Sequence, residues 1–165
     1  MTAQSYPPSR VLVVYATRGG ATRELAEQIV QELEQAGLAV DLQPVTTPID
    51  VAAYCAVVLG SALYFQRLMP EALRYLTLHA TLLAQRPLAI FSVGAEMRKG
   101  TPAARQAAET WVRRSIAALP IIQPIALGHF AGAVELHRLS FWWRLLVLIP
   151  FPALMTAPYS PCGPP

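Results

Sequence analysis

Three short, mainly apolar runs constrain the fold of this chain more than any other feature of its sequence. They span residues 11–15, 56–59 and 88–93, and each is too short to form a buried helix. Runs of this kind are typical of strands buried on both faces, which occur almost only in parallel sheets covered by helices. The sequence therefore predicts an α/β chain with these three runs at the centre of a parallel sheet.

Helical patterns alternate with the apolar runs. Leu25, Ile29 and Leu33 recur at helical spacing, and Gly37 follows where a helix commonly ends. A second helix is predicted from Pro70, and a third from the cap residue Thr101 to about Ala118. The second has an apolar face made of Leu73, Leu76, Ala80 and Leu83. Further strands are predicted at residues 40–45 and 121–127, with a turn at 128–132. This order predicts a doubly wound sheet with helices on both faces.

Composition limits the classes of function. The chain has 165 residues, enough for one domain, and 54% of them are hydrophobic against 14% charged. Its net charge of +3 comes mostly from scattered arginines, which disfavours nucleic-acid binding and is compatible with a mild attraction to anionic lipid. No metal site is predicted, because the cysteines and histidines are isolated from one another: Cys55, Cys162, His79, His129 and His137. No signal peptide is legible, which predicts a cytoplasmic location.

The C-terminal part of the chain differs from the rest. Residues 138–155 form an apolar segment that begins with arginines and a pair of tryptophans. It is shorter than the roughly 20 uninterrupted apolar residues that span a bilayer, so Phe141–Met155 is predicted to make a peripheral membrane contact. Residues 156–165 contain four prolines and are predicted to be disordered. The folded domain is thus predicted to cover residues 1–155.

A glycine-containing hexapeptide follows the first apolar run and precedes the first helix. It consists of Thr17, Arg18, Gly19, Gly20, Ala21 and Thr22. A helix N-terminus offers unpaired N–H donors, threonine hydroxyls add further donors, and the glycines let the backbone close around an anion. It matches neither the dinucleotide fingerprint nor the Walker loop. A simple strand-to-helix turn is the alternative interpretation of the hexapeptide taken alone.

Two further apolar runs are followed by small residues. Gly60–Tyr64 comes after the second run, and Ser92–Gly94 ends the third. Both are predicted to be short loops. Because ligands of doubly wound sheets bind beyond the carboxyl ends of the strands, we expect both stretches to converge with the hexapeptide at one edge.

These stretches resemble the flavodoxin family and, more narrowly, its menaquinone-dependent protoporphyrinogen oxidases. "YATRGGATRELAEQIVQEL" is similar to the phosphate loop of flavodoxins, and "VVLGSALYFQRLMPEALRYL" stands in the place of their ring-binding loop. The narrower resemblance adds Phe91-Ser92-Val93 and the turn Ala131-Gly132-Ala133, followed by "HRLSFWWRLLVLIP". The chain departs from that pattern at Gly19 and Ala21, where side-chain donors are lost but the backbone remains. It also departs after Met155, where no residues resemble the end of the fifth strand or the last helix.

The resemblance implies a fold, a cofactor and an activity. It implies a flavodoxin-like doubly wound parallel sheet in the order 2-1-3-4-5, with FMN as cofactor. The phosphate would lie on the hexapeptide Thr17 to Thr22, and the ring on Ser61, Ala62, Leu63, Tyr64, Ser92, Val93 and Gly94. The implied function is oxidation of protoporphyrinogen IX, or a similar reduced substrate of heme biosynthesis, with a membrane quinone as acceptor.

Other functions remain open at this point. One alternative is a flavodoxin-like electron-transfer domain, and another is a truncated, non-catalytic homologue. No general acid or base is identified, although His129 is a candidate for proton transfer and Glu96, Arg98 and Lys99 for contact with a substrate carboxylate. Since the chain is basic and the expected ring-binding stretches contain no carboxylate, we expect a less negative flavin potential than in acidic flavodoxins.

Overall fold

A computed structural model of the protein describes residues 10–131 and contains one mainly parallel sheet. Its strands are β1 (Arg10–Ala16), β2 (Ala39–Pro44), β3 (Ala56–Tyr64), β4 (Arg67–Leu68), β5 (Leu88–Val93) and β6 (Ala126–Phe130). Five of them run parallel in the order β2-β1-β3-β5-β6, and β4 pairs antiparallel with β3. Without the two-residue strand β4, this order is the 2-1-3-4-5 order predicted from the sequence.

Four α-helices cover the two faces of the sheet within the described residues. They are α1 (Ala21–Gln35), α2 (Pro70–Leu78), α3 (Ala80–Ala84) and α4 (Pro102–Ile116), and short 3-10 helices cover Val51–Ala53 and Ala95–Lys99. The core on one face joins α1 to the sheet through Leu25, Ala26, Ile29 and Leu33. The core on the other face joins α2, α3 and α4 to it. All six residues of β5 are buried, as expected for a strand covered on both sides.

The helix ends follow the sequence signals. Gly37 adopts a φ of +86°, and its N–H donates to the carbonyl oxygen of Glu34 at 2.9 Å. The N–H of Leu38 donates to the carbonyl oxygen of Leu33 at 3.1 Å, which completes a Schellman motif at the end of α1. At the start of α4, the hydroxyl of Thr101 accepts a hydrogen bond from the N–H of Ala104 at 3.2 Å, so the predicted cap is confirmed.

Several predictions of local structure are wrong. Residues 128–130 belong to β6 and not to the predicted turn at 128–132, and Ser92 and Val93 end β5 and do not lie in a loop. Gly60–Tyr64 is not a loop but the second half of β3, because its backbone continues the ladders to β1 and β5. The strand predicted at 121–127 lies at 126–130 instead, since Pro124 has no N–H to donate and the ladder to β5 begins only after it. The single helix predicted from Pro70 is divided at His79 into α2 and α3.

Several predictions lie outside the described residues. These concern the domain limit at residue 155, the apolar segment 138–155, the tail 156–165, and the end of the last strand and final helix after the segment. Among residues 10–131, no helix combines the length and the apolar character needed to cross a bilayer.

Candidate cofactor site

The hexapeptide lies between β1 and α1, where the sequence predicts an anion site. Gly20 is the N-cap residue of α1 with a φ of +88°, and no side chain caps the helix. The first helical bond runs from the N–H of Glu24 to the carbonyl oxygen of Gly20 at 3.0 Å. The N–H groups of residues 21–23 therefore have no acceptor within the helix. Together with the positive end of the helix dipole, they form a set of donors suited to a phosphate.

Two threonines frame this loop in different ways. The hydroxyl of Thr17 accepts a hydrogen bond from the N–H of Gly20 at 3.0 Å, which fixes the curvature of the loop. Thr22 is 1% exposed, yet its hydroxyl oxygen has no hydrogen-bond partner in the described part of the chain. Buried hydroxyls without a partner are rare, because the lost hydration is not replaced. Thr22 therefore fits a loop that gains its remaining partner from a bound group.

Gly19 and Gly20 leave the space in front of the loop open. A methyl group built on either glycine has no heavy atom within 4 Å. Gly19 and Arg18 are exposed, whereas Ala21 is half-buried at the start of the helix. The hexapeptide thus has free donors, a buried unpartnered hydroxyl and room for an anion.

The second predicted stretch forms a hairpin rather than a loop. Leu63 and Tyr64 pair with Leu68 and Arg67 across a two-residue turn. Tyr64 is 43% exposed at its end, whereas Ser61 is completely buried. The hydroxyl of Ser61 accepts from the N–H of Met69 at 3.0 Å and donates to the carbonyl oxygen of Ala62 at 2.9 Å. The side chain of Ser61 is therefore engaged within the protein, whereas Ala62 and Leu63 are half-buried and Tyr64 is exposed.

The third predicted stretch ends β5. Ser92 and Val93 are buried strand residues, and Gly94 follows them. The N–H of Gly94 donates to the carbonyl oxygen of Phe130 at 3.0 Å. Ser92 Oγ shares a hydrogen bond of 2.8 Å with Nδ1 of His129. Like Ser61, Ser92 therefore directs its hydroxyl into the protein.

The three stretches meet at the carboxyl edge of the sheet. The guanidinium carbon of Arg18 lies 5.1 Å from the ring centroid of Tyr64, which joins the hexapeptide to the hairpin by a cation–π contact. A methyl group built on Gly94 would lie 3.4 Å from Leu63, so the hairpin also touches the third stretch. The predicted convergence is thus present, although the side chains of Ser61 and Ser92 point away from the edge.

A row of polar side chains beneath the edge was not expected from the sequence. Ser61, Ser92 and His129 are register partners on adjacent strands β3, β5 and β6. Burial lowers the pKa of His129, the nearby Glu109 raises it, and Arg105 and Arg113 lower it. Nε2 of His129 is buried without a partner among the described residues. No spacing in the sequence marks this row, because Ser61 lies three residues before the end of β3, whereas Ser92 and His129 each lie one residue before the end of their strands. Only the strand register brings the three side chains together.

The charged residues after the third stretch lie at the surface. Lys99 and Glu96 form an ion pair of 2.6 Å, and Arg98 is exposed. Within residues 10–131, no group of three or more histidine, cysteine or acidic side chains is arranged to hold a metal ion. The donors at this edge are backbone amides, hydroxyls and arginines, which suit an anionic organic cofactor.

Residues 12–153 match the family described as "Flavodoxin domain", and the chain belongs to this family. It is similar to the protoporphyrinogen IX dehydrogenase (quinone) of Escherichia coli K12, with 26% identity over 143 residues that cover 84% of this chain and 76% of that one.

Solved structures agree on the fold. Flavodoxin 1 of Bacillus cereus superposes with a TM-score of 0.60 at 12% identity, over 83% of this chain and 94% of that one. The rubredoxin:oxygen oxidoreductase of Desulfovibrio gigas gives 0.64 at 13% identity, over 93% of this chain and 39% of that one. The predicted family and fold class are confirmed. FMN is the cofactor of flavodoxins, so the predicted cofactor agrees with family membership.

Proposed function

We propose that this chain is an FMN-dependent oxidoreductase that oxidises protoporphyrinogen IX, or a similar reduced substrate, and transfers the electrons to a quinone. The observation that carries the proposal is the convergence of the hexapeptide, the hairpin and Gly94 at one edge, with the hydroxyl of Thr22 buried and unpartnered there. The similarity to the Escherichia coli dehydrogenase supports this substrate and acceptor.

Residues of the three stretches would bind different parts of FMN. The N–H groups of residues 21–23 and the hydroxyl of Thr22 would bind the phosphate, with Arg18 close enough to contribute charge. Leu63, Tyr64 and Gly94 would contact the ring. Ser61 and Ser92 would hold the backbone of their strands in place. When bound, FMN supplies the electron transfer, and the protein positions it and tunes its electronics.

The apolar segment Phe141–Met155 would bring the protein to the membrane, where quinones dissolve. Its tryptophans and flanking arginines favour the boundary between lipid headgroups and acyl chains. Deleting Phe141–Met155 should weaken binding to liposomes. Undiminished binding by the deletion variant would exclude this role of the segment.

Replacing Thr22 by valine tests the cofactor site. Valine has the shape of threonine without the hydroxyl, so the free energy of unfolding should stay the same or rise. The dissociation constant for FMN, measured by quenching of its fluorescence, should rise about tenfold or more, as expected for the loss of a hydrogen bond to a charged group.

Thr77→Val is the matched control. The hydroxyl of Thr77 donates to the carbonyl oxygen of Leu73 at 2.9 Å on an exposed part of α2, so FMN affinity should not change. Equal FMN affinity of the Thr22→Val variant and the wild type would contradict the proposed phosphate site.

Activity separates the proposed enzyme from an electron-transfer domain. Flavin-loaded protein should oxidise protoporphyrinogen with menadione as acceptor. Loaded protein without this activity would favour a flavodoxin-like electron carrier, and a chain that binds no FMN would favour a non-catalytic homologue.

A further inference from the structure

The turn between β3 and β4 presents an aromatic side chain to solvent on a strained backbone. Phe65 and Gln66 occupy its two central positions with φ of +47° and +62°. Two positive φ angles are the pattern of a type I′ turn, which normally uses Asn and Gly because a larger side chain crowds the backbone. Phe65 is 96% exposed. The strain is thus not compensated by packing of the Phe65 ring within the described residues.

Buried contacts on the return strand hold this turn in place. Leu68 and Met69 are 2% and 3% exposed. The N–H of Leu68 donates to the hydroxyl of the half-buried Ser115 at 3.2 Å, and the N–H of Met69 donates to the hydroxyl of the buried Ser61 at 3.0 Å. A strained conformation that its surroundings maintain in this way is a feature of functional sites.

Two arginines lie beside Tyr64, the residue that precedes Phe65. Arg67 is the register partner of Tyr64 across the hairpin, and the guanidinium of Arg18 lies over the ring of Tyr64. No carboxylate pairs with either arginine among residues 10–131, and neither 17–22 nor 61–69 contains an acidic residue. We call Arg18, Tyr64, Phe65 and Arg67 the aromatic tip. It combines a protruding apolar ring with uncompensated positive charge.

We propose that the aromatic tip docks onto an anionic lipid surface, with Phe65 entering the headgroup boundary and Arg67 contacting lipid phosphates. A protruding aromatic ring can be buried in the interfacial region of a lipid bilayer, and arginines beside such an apolar anchor are attracted to anionic leaflets. The tip lies at the sheet edge that carries the candidate cofactor site, so docking turns this edge toward the bilayer. The inference rests on the proposed function for the lipid-soluble acceptor, and the tip shares Arg18 and Tyr64 with the candidate cofactor site; Phe65 and Arg67 have no part in that site.

Vesicle binding of the full chain tests the inference. Partition coefficients are measured by sedimentation with vesicles of phosphatidylcholine alone and of equal parts phosphatidylcholine and phosphatidylglycerol. On the mixed vesicles, Phe65→Ser should weaken binding about tenfold or more. Arg67→Gln should weaken it about fivefold, and this effect should disappear on phosphatidylcholine alone.

Two variants control for hydrophobicity and net charge. Leu78→Ser removes another exposed apolar side chain, 73% exposed at the end of α2, and Arg114→Gln removes an exposed arginine in the last turn of α4. Both should bind the mixed vesicles like the wild type. FMN content is measured in every sample, and each variant is tested with and without added FMN.

The outcomes distinguish this inference from the proposed function. Vesicle binding that does not depend on Phe65 overturns the inference even if the protein binds FMN and is active. Loss of vesicle binding only in those Phe65→Ser samples that have also lost FMN overturns it as well, because Phe65 then acts through the cofactor. Binding that depends on Phe65 in a chain that binds no FMN supports the inference while the proposed function fails.

Discussion

At the scale of single residues, the bond between Ser92 and His129 joins β5 to β6 directly below the candidate site. The N–H of Gly94 reaches the carbonyl oxygen of Phe130 one position further along the same strands. The imidazole therefore helps to fix the third stretch in register. Its proposed part in proton transfer remains a prediction, but Nδ1 is already engaged and Nε2 is shielded from solvent.

Protonation of His129 should destabilise the protein. Burial lowers the pKa of His129 from its ordinary value of 6.5, so the unfolded chain binds more protons than the folded one in the range below this value. The stability that this group contributes is fully present well above pH 6.5 and is lost as the pH falls through 6.5 toward the lower pKa of the folded state. We expect the free energy of unfolding, measured with urea, to fall between about pH 7.5 and about pH 5.5.

Substitution of His129 isolates this contribution. Asparagine places an amide near the position of Nδ1 and does not titrate, so His129→Asn should flatten the pH dependence over the same range. His79→Gln should retain the wild-type profile because His129 is intact. A His129→Asn variant with an unchanged slope would show that other groups cause the pH dependence.

At the scale of elements, the β3–β4 hairpin has a strained turn that lowers stability, and the buried residues after the turn stabilise the hairpin. Leu68 and Met69 pack into the core shared by α2, α3 and α4. Their N–H groups are held by Ser61 and Ser115. The position of Tyr64 therefore depends on contacts made after the turn.

Relief of the turn strain should stabilise the chain. Gln66 has a φ of +62° and is exposed, and glycine adopts this conformation without steric cost. We expect Gln66→Gly to raise the free energy of unfolding by about 1 kcal/mol. Gln66→Ala keeps the Cβ atom and should give no increase. A similar gain in both variants would mean that the glutamine side chain, and not φ, is the cause.

At the scale of the whole molecule, net positive charge should tune the proposed flavin. The chain carries +3, and the stretches 61–64 and 92–94 contain no carboxylate. Positive surroundings favour the more negative, reduced form of a bound group, so the potential should be less negative than in acidic flavodoxins. Added salt should lower the potential, because it screens the arginines of this edge.

Redox titration of the FMN-loaded chain at low and high ionic strength measures both effects. A very low potential, or one that does not respond to salt, would contradict the electrostatic explanation. A very low potential would also argue against the proposed electron transfer to a quinone.

The sequence predicted the sheet and the positions of its helices because each signal is local. Each of these signals determines the conformation of its own segment only. They are the apolar runs, the Thr101 cap and Gly37. Gly60 and Gly128 were wrongly predicted to end strands. A glycine can indicate a turn, but it can also stand where a neighbouring group packs too closely to leave space for a Cβ atom. A methyl group at Gly60 would lie 2.1 Å from the Phe91 ring, and one at Gly128 would lie 2.9 Å from the Phe130 ring. Gly60 makes room for a ring from the adjacent strand β5, and Gly128 makes room for a ring two residues further along its own strand.

The sequence by itself determined the order of elements and the doubly wound topology, and it placed the hexapeptide between β1 and α1, because periodicity, caps and glycine spacing are properties of short segments. Only the tertiary structure decided which side chains face the candidate site. Strand register directs the hydroxyls of Ser61 and Ser92 inward, and the strained turn brings Tyr64 beside Arg18. Register is a relation between distant segments, and a shift of one residue would turn each side chain to the opposite face.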